Sequence, residues 1–186
     1  LDCYNSVTEL FNLTDKFQCP GIILSDLLLA EGRFSVDADD IDMHPKIDRG
    51  ELITESSGTN GYLRYKITES GISPRALPGL EGHAYVAATD EHDEDSTLVS
   101  DEYADARKRR AMLEKRARKV ESAADDIEPP RLLGPEDAEV TLIGWGSTYG
   151  VIQEAVDLLQ QQGVTANHLP IKWMVPFHGE AVTGML

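Results

Sequence analysis

An α/β fold is predicted by three features of this 186-residue chain. Residues 140–143 form an apolar, β-branched run, and a glycine-rich turn follows through Gly150. Residues 151–162 then carry helical spacing ended by Gly163, and residues 164–169 return to a strand-like run. That order is the start of a βαβ unit. Second, an amphipathic stretch over residues 5–17 stops at Cys19-Pro20-Gly21 and leads into Ile22, Ile23 and Leu24, the short unbroken apolar run of a strand buried on both faces. Third, hydrophobic residues make up 41% of the chain, which is enough for a core.

The first helix rests on Val7, Leu10, Phe11, Thr14 and Phe17, which recur at helical spacing. Asp26 then stands at the carboxyl end of the expected strand, where open α/β sheets place ligands. Capping of a short helix over residues 27–30 is the simpler role for it. From Glu31 to Thr59 periodicity is lost. Asp37, Asp39, Asp40 and Asp42 cluster there, but the spacing lacks the glycine and terminal glutamate of a calcium loop, so a solvated loop is expected. His44 beside Pro45 receives no role.

Residues 61–79 are the most distinctive stretch. Arg64, Lys66 and Arg75 are interleaved with Tyr62, Tyr65, Thr68 and Ser73, and the run closes on Pro78-Gly79. Pro74 fixes its own φ and pushes Ser73 toward extended geometry, while Gly71 and Gly79 allow turns that other residues resist. A backbone held this stiffly can present guanidinium and hydroxyl groups to a carboxylate, a phosphate or a partner chain. An ordinary strand–turn–strand packed on a neighbour fits the same residues.

Residues 90–106 hold eight carboxylates and no Lys or Arg, whereas residues 107–119 hold eight basic residues and one glutamate. Alanine, arginine, lysine and glutamate favour a helix over residues 101–122. Its apolar content is thin, so it is expected on a surface or between domains, its basic face meeting acidic surface of its own chain or of a partner. Residues 123–136, with Pro129-Pro130 and Gly134-Pro135, are the expected linker, stiffened by proline. The domains are thus read as 1–122 and 137–186.

Thirty-three acidic residues against seventeen basic give a net charge of −16. This disfavours nucleic acid and an anionic membrane surface as partners. It suits either a protein working at high salt or an ordinary acidic one. Cys3 and Cys19 make no Cys-x-x-Cys pair and fall short of the four thiolates of an iron–sulfur cluster, so free thiols in a reducing cytoplasm are expected. The apolar run of residues 27–30 is too short to span a bilayer.

Gly144, Gly146 and Gly150 suggest a phosphate cradle at a helix N-terminus. The third glycine comes one position late for a dinucleotide fingerprint, with Tyr149 in its place, and no acidic residue stands clearly at the end of the next strand to hold a ribose. A tight turn in which Ser147 or Thr148 caps the helix explains the residues without a ligand. His83, His92, His168 and His178 lack zinc spacing, and no metal site is assigned. His92, between Glu91 and Asp93, would favour its protonated form if those carboxylates approach it. No serine lies in a Gly-x-Ser-x-Gly elbow, so nothing identifies a hydrolase.

The run Arg64-Tyr65, Thr68, Gly71, Ser73-Pro74-Arg75, Pro78-Gly79 closely resembles the corresponding run in the α subunit of 2-oxoacid:ferredoxin oxidoreductases of the 2-oxoglutarate type. Other segments fall in the family's order around it. Residues 11–26 resemble a helix and strand late in its pyrimidine-binding-type domain, and Glu91 to Glu94 its acidic loop. Met112 and residues 115–119 resemble its basic helix, and residues 140–177 the start of its transketolase-C-terminal-like domain. The resemblance implies an internal fragment: the end of a thiamine-diphosphate pyrimidine-binding-type domain followed by the start of a transketolase-C-terminal-like βαβ domain. It implies an enzyme that oxidatively decarboxylates a 2-oxoacid, 2-oxoglutarate or pyruvate, onto coenzyme A and reduces ferredoxin. Thiamine diphosphate, Mg2+ and a 4Fe–4S cluster would sit mostly on a partner β subunit. The resembled family's activating glutamate lies upstream, so the catalytic residues stay unassigned and the fragment alone should be inactive. Arg64, Thr68 and Arg75 are expected near the active-site mouth or the coenzyme A approach, or equally at a subunit interface. A noncatalytic assembly module acting through the charged helix and the Arg-rich loop is the alternative.

Overall fold

A computed structural model describes residues 1–56, 61–87, 89–99 and 105–186. These form two compact units. The first comprises Leu1–Gly21 and Met43–Ala123, the second Ile22–Asp42 and Ala124–Leu186. Residues 22–42, expected with the first domain, therefore pack with the second unit. The class is α/β, and among the described residues each unit holds one parallel strand pair. Among the described residues, no helix is long and apolar enough to cross a membrane.

In the first unit, α1 (Asp2–Phe17) realises the expected amphipathic helix and buries Phe17. It ends at Gln18 in the left-handed conformation (φ 51°), whose N–H returns to the carbonyl of Thr14. Two short strands, β1 (Leu52–Ile53) and β2 (Arg75–Ala76), pair in parallel with Leu52 opposite Arg75. β1 lies in the stretch that showed no periodicity, since two residues are too few to display one. The basic helix is α2 (Ala106–Ala123), which buries Met112 and Lys115.

The second unit corrects one expectation. Residues 22–24 are not a buried strand: Ile22, Ile23 and Leu24 are 79%, 51% and 60% exposed, and no ladder forms there. Three apolar residues set the hydrophobicity of a strand but not its hydrogen-bonded neighbour, and a strand exists only with that neighbour. They lead instead into a short helix, α3 (Leu27–Glu31, earlier in sequence than the basic helix), capped by the Asp26 carboxylate accepting from the Leu29 N–H at 3.0 Å. Asp37, in the acidic cluster, caps its own 3-10 turn over Ala38–Asp40.

The expected βαβ start is present as β3 (Val140–Trp145), α4 (Thr148–Gln161) and β4 (Ala166–Ile171), with β3 and β4 parallel and Val140 opposite Ala166. β4 is the better buried strand, and Ala166, Asn167, His168 and Leu169 are all essentially inaccessible. The proline-rich stretch is no free tether. Ile127 is buried, Leu133 bridges His168 antiparallel, and the Asn167 amide donates to the carbonyl of Pro135 at 2.8 Å. A last short helix, α5, spans Gly179–Gly184.

Candidate functional site: the arginine loop and its basic helix

The loop over residues 61–79 is tied by its own hydroxyls. Thr68 donates to the carbonyl of Ile72 at 2.7 Å, and Ser73 donates to that of Lys66 at 2.8 Å. The Tyr62 hydroxyl donates to the Pro74 carbonyl and accepts from the Ala76 N–H. Gly71, with φ 78°, lies so close to the basic helix that a Cβ would stand 2.3 Å from the Lys115 carbonyl. Glycine is required there twice over, by conformation and by contact. A strand–turn–strand is not what forms, since Arg75 and Ala76 alone in this loop are strand.

The helix α2 grips this loop with its basic side chains. Lys115 donates to the carbonyl of Tyr65 at 2.9 Å, and Arg118 donates to that of Thr68 at 3.1 Å. Lys119 reaches the carbonyl of Gln18 at 3.3 Å. Two further cations take up the acidic loop: Arg116 pairs with Glu91 at 2.8 Å and Lys108 with Asp93. The basic face thus meets acidic surface and carbonyls of its own chain. Glu91 and Asp93 are engaged by the helix, while His92 turns its Nδ1 to the carbonyl of Asp90 and its ring to Tyr65.

Burial, reinforced by the charges of Lys119, Arg64 and Arg116, pulls the Lys115 ammonium down from its usual 10.5 to about 8. Burial likewise lowers Lys119. The hydrogen bond from Arg116, with its charge, holds the Glu91 carboxyl below its ordinary range. Both lysines are thus poorly hydrated charges whose hydrogen bonds go to the carbonyls of Tyr65 and Gln18.

The three singled-out residues take different positions. The Arg75 guanidinium donates to Asp15 at 3.1 Å, and Arg49 pairs with the same carboxylate. The Thr68 hydroxyl is spent inside the loop, and its side lines an open hollow with Glu51 and Glu69, carboxylates that repel an anion. Arg64 makes no ion pair or hydrogen bond with a described residue. Its guanidinium carbon lies 5.4 Å from the ring centre of Tyr65 and 5.9 Å from that of Tyr85. Of the three, Arg64 alone has a fork of donors that no described residue takes up, the kind of group that suits a carboxylate or phosphate. Sequence reasoning missed Tyr85 and did not separate Lys115 from the run around it. A basic run has no apolar spacing to show which lysine turns inward.

The glycine-rich turn of the second unit differs from expectation in its details. Ser147 occupies the N-cap position of α4 without a side-chain cap, and its hydroxyl donates to the Asp26 carboxylate instead. That bond, with the Leu29 N–H, holds the Asp26 carboxyl below its ordinary range. Thr148 bonds the backbone of Trp145, donating to its carbonyl at 2.7 Å and accepting from its N–H at 3.0 Å. A carboxylate of the chain itself thus stands beside the turn where a phosphate would need to approach, which disfavours an anion site there.

No protein-family model matches the chain. Among curated proteins, it is 34% identical over its whole length to subunit alpha of 2-oxoacid:ferredoxin oxidoreductase 2 of Aeropyrum pernix. It is 31% identical over 95% of its length to the 2-oxoacid:ferredoxin oxidoreductase subunit alpha of Saccharolobus solfataricus. It spans 28% of the length of each of these relatives. Among solved structures, 99% of the chain superposes on 31% of a chain of the 2-oxoglutarate:ferredoxin oxidoreductase from Magnetococcus marinus, which has 2-oxoglutarate, coenzyme A and succinyl-CoA bound. The TM-score is 0.80 and the identity 29%.

Proposed function

Because the chain belongs to the 2-oxoacid:ferredoxin oxidoreductase α-subunit family, we propose that it is part of the α subunit of an enzyme converting a 2-oxoacid to its acyl-CoA. The electrons pass to ferredoxin. In this reading residues 1–122 belong to a pyrimidine-binding-type domain and residues 137–186 begin a transketolase-C-terminal-like domain. The preferred substrate is 2-oxoglutarate rather than pyruvate, supported by the ligand named for the Magnetococcus marinus enzyme. A β subunit and ferredoxin are the partners, and the cytoplasm is the compartment.

Among the described residues, no group of three or more His, Cys, Asp or Glu side chains could hold a metal ion, and Cys3 and Cys19 are free thiols. Two thiols fall short of the four thiolates of an iron–sulfur cluster. The reading therefore leaves the 4Fe–4S cluster, Mg2+ and most contacts to thiamine diphosphate with the β subunit, where the diphosphate cofactor supplies the carbanion chemistry.

What this chain contributes is anion binding. Arg64 is the group assigned to meet a substrate carboxylate or a coenzyme A phosphate, and its uncommitted guanidinium is the observation that carries the assignment. Thr68 and Arg75 stand behind it, the first closing the loop and the second fastening it to Asp15 on α1. The scaffold alternative draws less support, because Lys108, Lys115, Arg116, Arg118 and Lys119 of the charged helix are engaged within the chain.

The test is 2-oxoacid-dependent reduction of a viologen dye by the assembled enzyme, with and without coenzyme A and thiamine diphosphate. Activity that needs both supports the oxidoreductase. An intact, cofactor-loaded complex without activity would transfer the assignment to the assembly module. Arg64→Ala should raise the Michaelis constant for the 2-oxoacid or coenzyme A while assembly is kept, and dissociated subunits would point to an interface instead.

A further inference from the structure

Arg64 poses a physical problem. Its guanidinium lies among like charges, close enough to Lys115 and Lys119 to lower both, and no described carboxylate pairs with it. A long cationic side chain in that setting should swing outward into water, losing rotamer definition. Two aromatic rings lie where an ion pair would otherwise be needed. Tyr65 and Tyr85 flank the guanidinium at 5.4 Å and 5.9 Å, within the range of cation–π attraction.

Tyr85 is the less obvious of the two. It is 49% exposed, so burial of its ring does not explain its placement. It stands edge-on to Tyr62 (centroids 6.1 Å apart, planes at 70°) and to Tyr65 (6.2 Å, 88°). Tyr65 is itself fixed on both sides, its ring against His92 at 3.9 Å and its carbonyl held by Lys115. The rings form a braced array, and Arg64 lies against two of its members.

We infer that Tyr85 is a positioning residue for Arg64: with Tyr65 it holds the guanidinium in one orientation, leaving the donor edge for an incoming anion. This rests on the reading of Arg64 as the anion-binding group. Aromatic faces suit the task because they attract the cation without spending its N–H donors, which a carboxylate partner would consume. An unspent but oriented fork binds a second carboxylate with less ordering cost.

The experiment compares Tyr85→Leu, Tyr85→Phe, Arg64→Ala and the Tyr85→Leu/Arg64→Ala double variant in the assembled enzyme, with a crystal structure of the Tyr85→Leu form. Exposed cation–π contacts of about 0.5–1 kcal/mol correspond to roughly a two- to five-fold rise in the Michaelis constant for the 2-oxoacid or coenzyme A in Tyr85→Leu. Tyr85→Phe, which keeps the ring face, should stay at the wild-type value, and Tyr85→Leu should add nothing once Arg64 is gone. The crystal structure should show the Arg64 side chain in more than one orientation. Equal damage from Phe and Leu, an unchanged Tyr85→Leu effect in the Arg64→Ala background, or an Arg64 that keeps its orientation beside Leu would each overturn the inference. If Arg64→Ala leaves both Michaelis constants unchanged while Tyr85→Leu disorders Arg64, the anion-binding assignment fails and the positioning role stands.

Discussion

Lys115 donates its ammonium to the carbonyl of Tyr65 at 2.9 Å from a residue only 4% exposed. One buried cation thereby fastens the basic helix to the loop that carries Arg64. Taking a charge out of water is costly even when one hydrogen bond is returned, and the descent of this group to about 8 expresses that cost.

The cost is readable as a pH dependence. Between about 8 and 10.5, the unfolded chain keeps the Lys115 proton and the folded chain releases it. Stability from this group therefore rises with pH across that window, by at most about 3.5 kcal/mol at roughly 1.4 kcal/mol per unit. Urea midpoints of the wild type and Lys115→Met at pH 7 and pH 10 should show the wild type gaining on the variant. Parallel shifts in the two proteins would mean that Lys115 is not buried as a cation.

Gly71 touches the same helix through its backbone. Alanine there must adopt φ 78° and place a Cβ 2.3 Å from the Lys115 carbonyl, which belongs to rigid helix backbone. A left-handed residue costs about 1–2 kcal/mol and overpacking about 1–3 kcal/mol, so Gly71→Ala should destabilise by roughly 2–5 kcal/mol. Gly79 has φ 89° but open space around it. Gly79→Ala should lose about 1–2 kcal/mol, from conformation alone. Equal losses at both sites in chemical denaturation would contradict the close approach.

These two contacts mark where sequence reading stops. α1, β3, α4 and β4 were legible because each repeats its period for several residues or sits in an unmistakable strand–turn–helix order. The parallel pairing of Leu52 with Arg75 was not, because two residues show no period and their partner is distant in sequence. Ile22, Ile23 and Leu24 misled for the complementary reason: the pattern of a buried strand was present and the neighbouring strand was not. At the site, the pattern of Arg64, Thr68 and Arg75 marked the loop, but their separate partners depend on tertiary placement. Asp15 claims Arg75, the Ile72 carbonyl claims Thr68, and the rings of Tyr65 and Tyr85 receive Arg64.

The Glu91–Arg116 pair predicts the acid side of the stability curve. Its carboxyl lies below the ordinary range, so its contribution is complete above the unfolded value of about 4.3 and is lost as pH falls through the folded value. Glu91→Gln should cost about 1 kcal/mol or less at pH 7, with the difference from wild type vanishing in acid and shrinking in high salt. Denaturation at pH 7 in low and high salt, repeated near pH 3, checks all three. A difference that persists in acid would point to lost packing rather than lost charge.

Gly144 predicts how tightly α4 lies on β3. A Cβ at this position would stand 2.1 Å from the Ile152 Cδ1 and 2.7 Å from the Thr148 Oγ1. The two obstacles differ in kind. Ile152 ends in a methyl group that can turn away, whereas Thr148 is held by both backbone groups of Trp145. Gly144→Ala should therefore destabilise by about 1–3 kcal/mol, the range of overpacking in a formed core. Ile152→Val removes the nearer obstacle and leaves the second, so the double variant should recover part of the loss and not all of it. A double-mutant cycle by urea denaturation measures this as a favourable coupling between the two changes. Additive losses would mean that the helix moves away from the strand to admit the alanine, and that Gly144 does not set their separation.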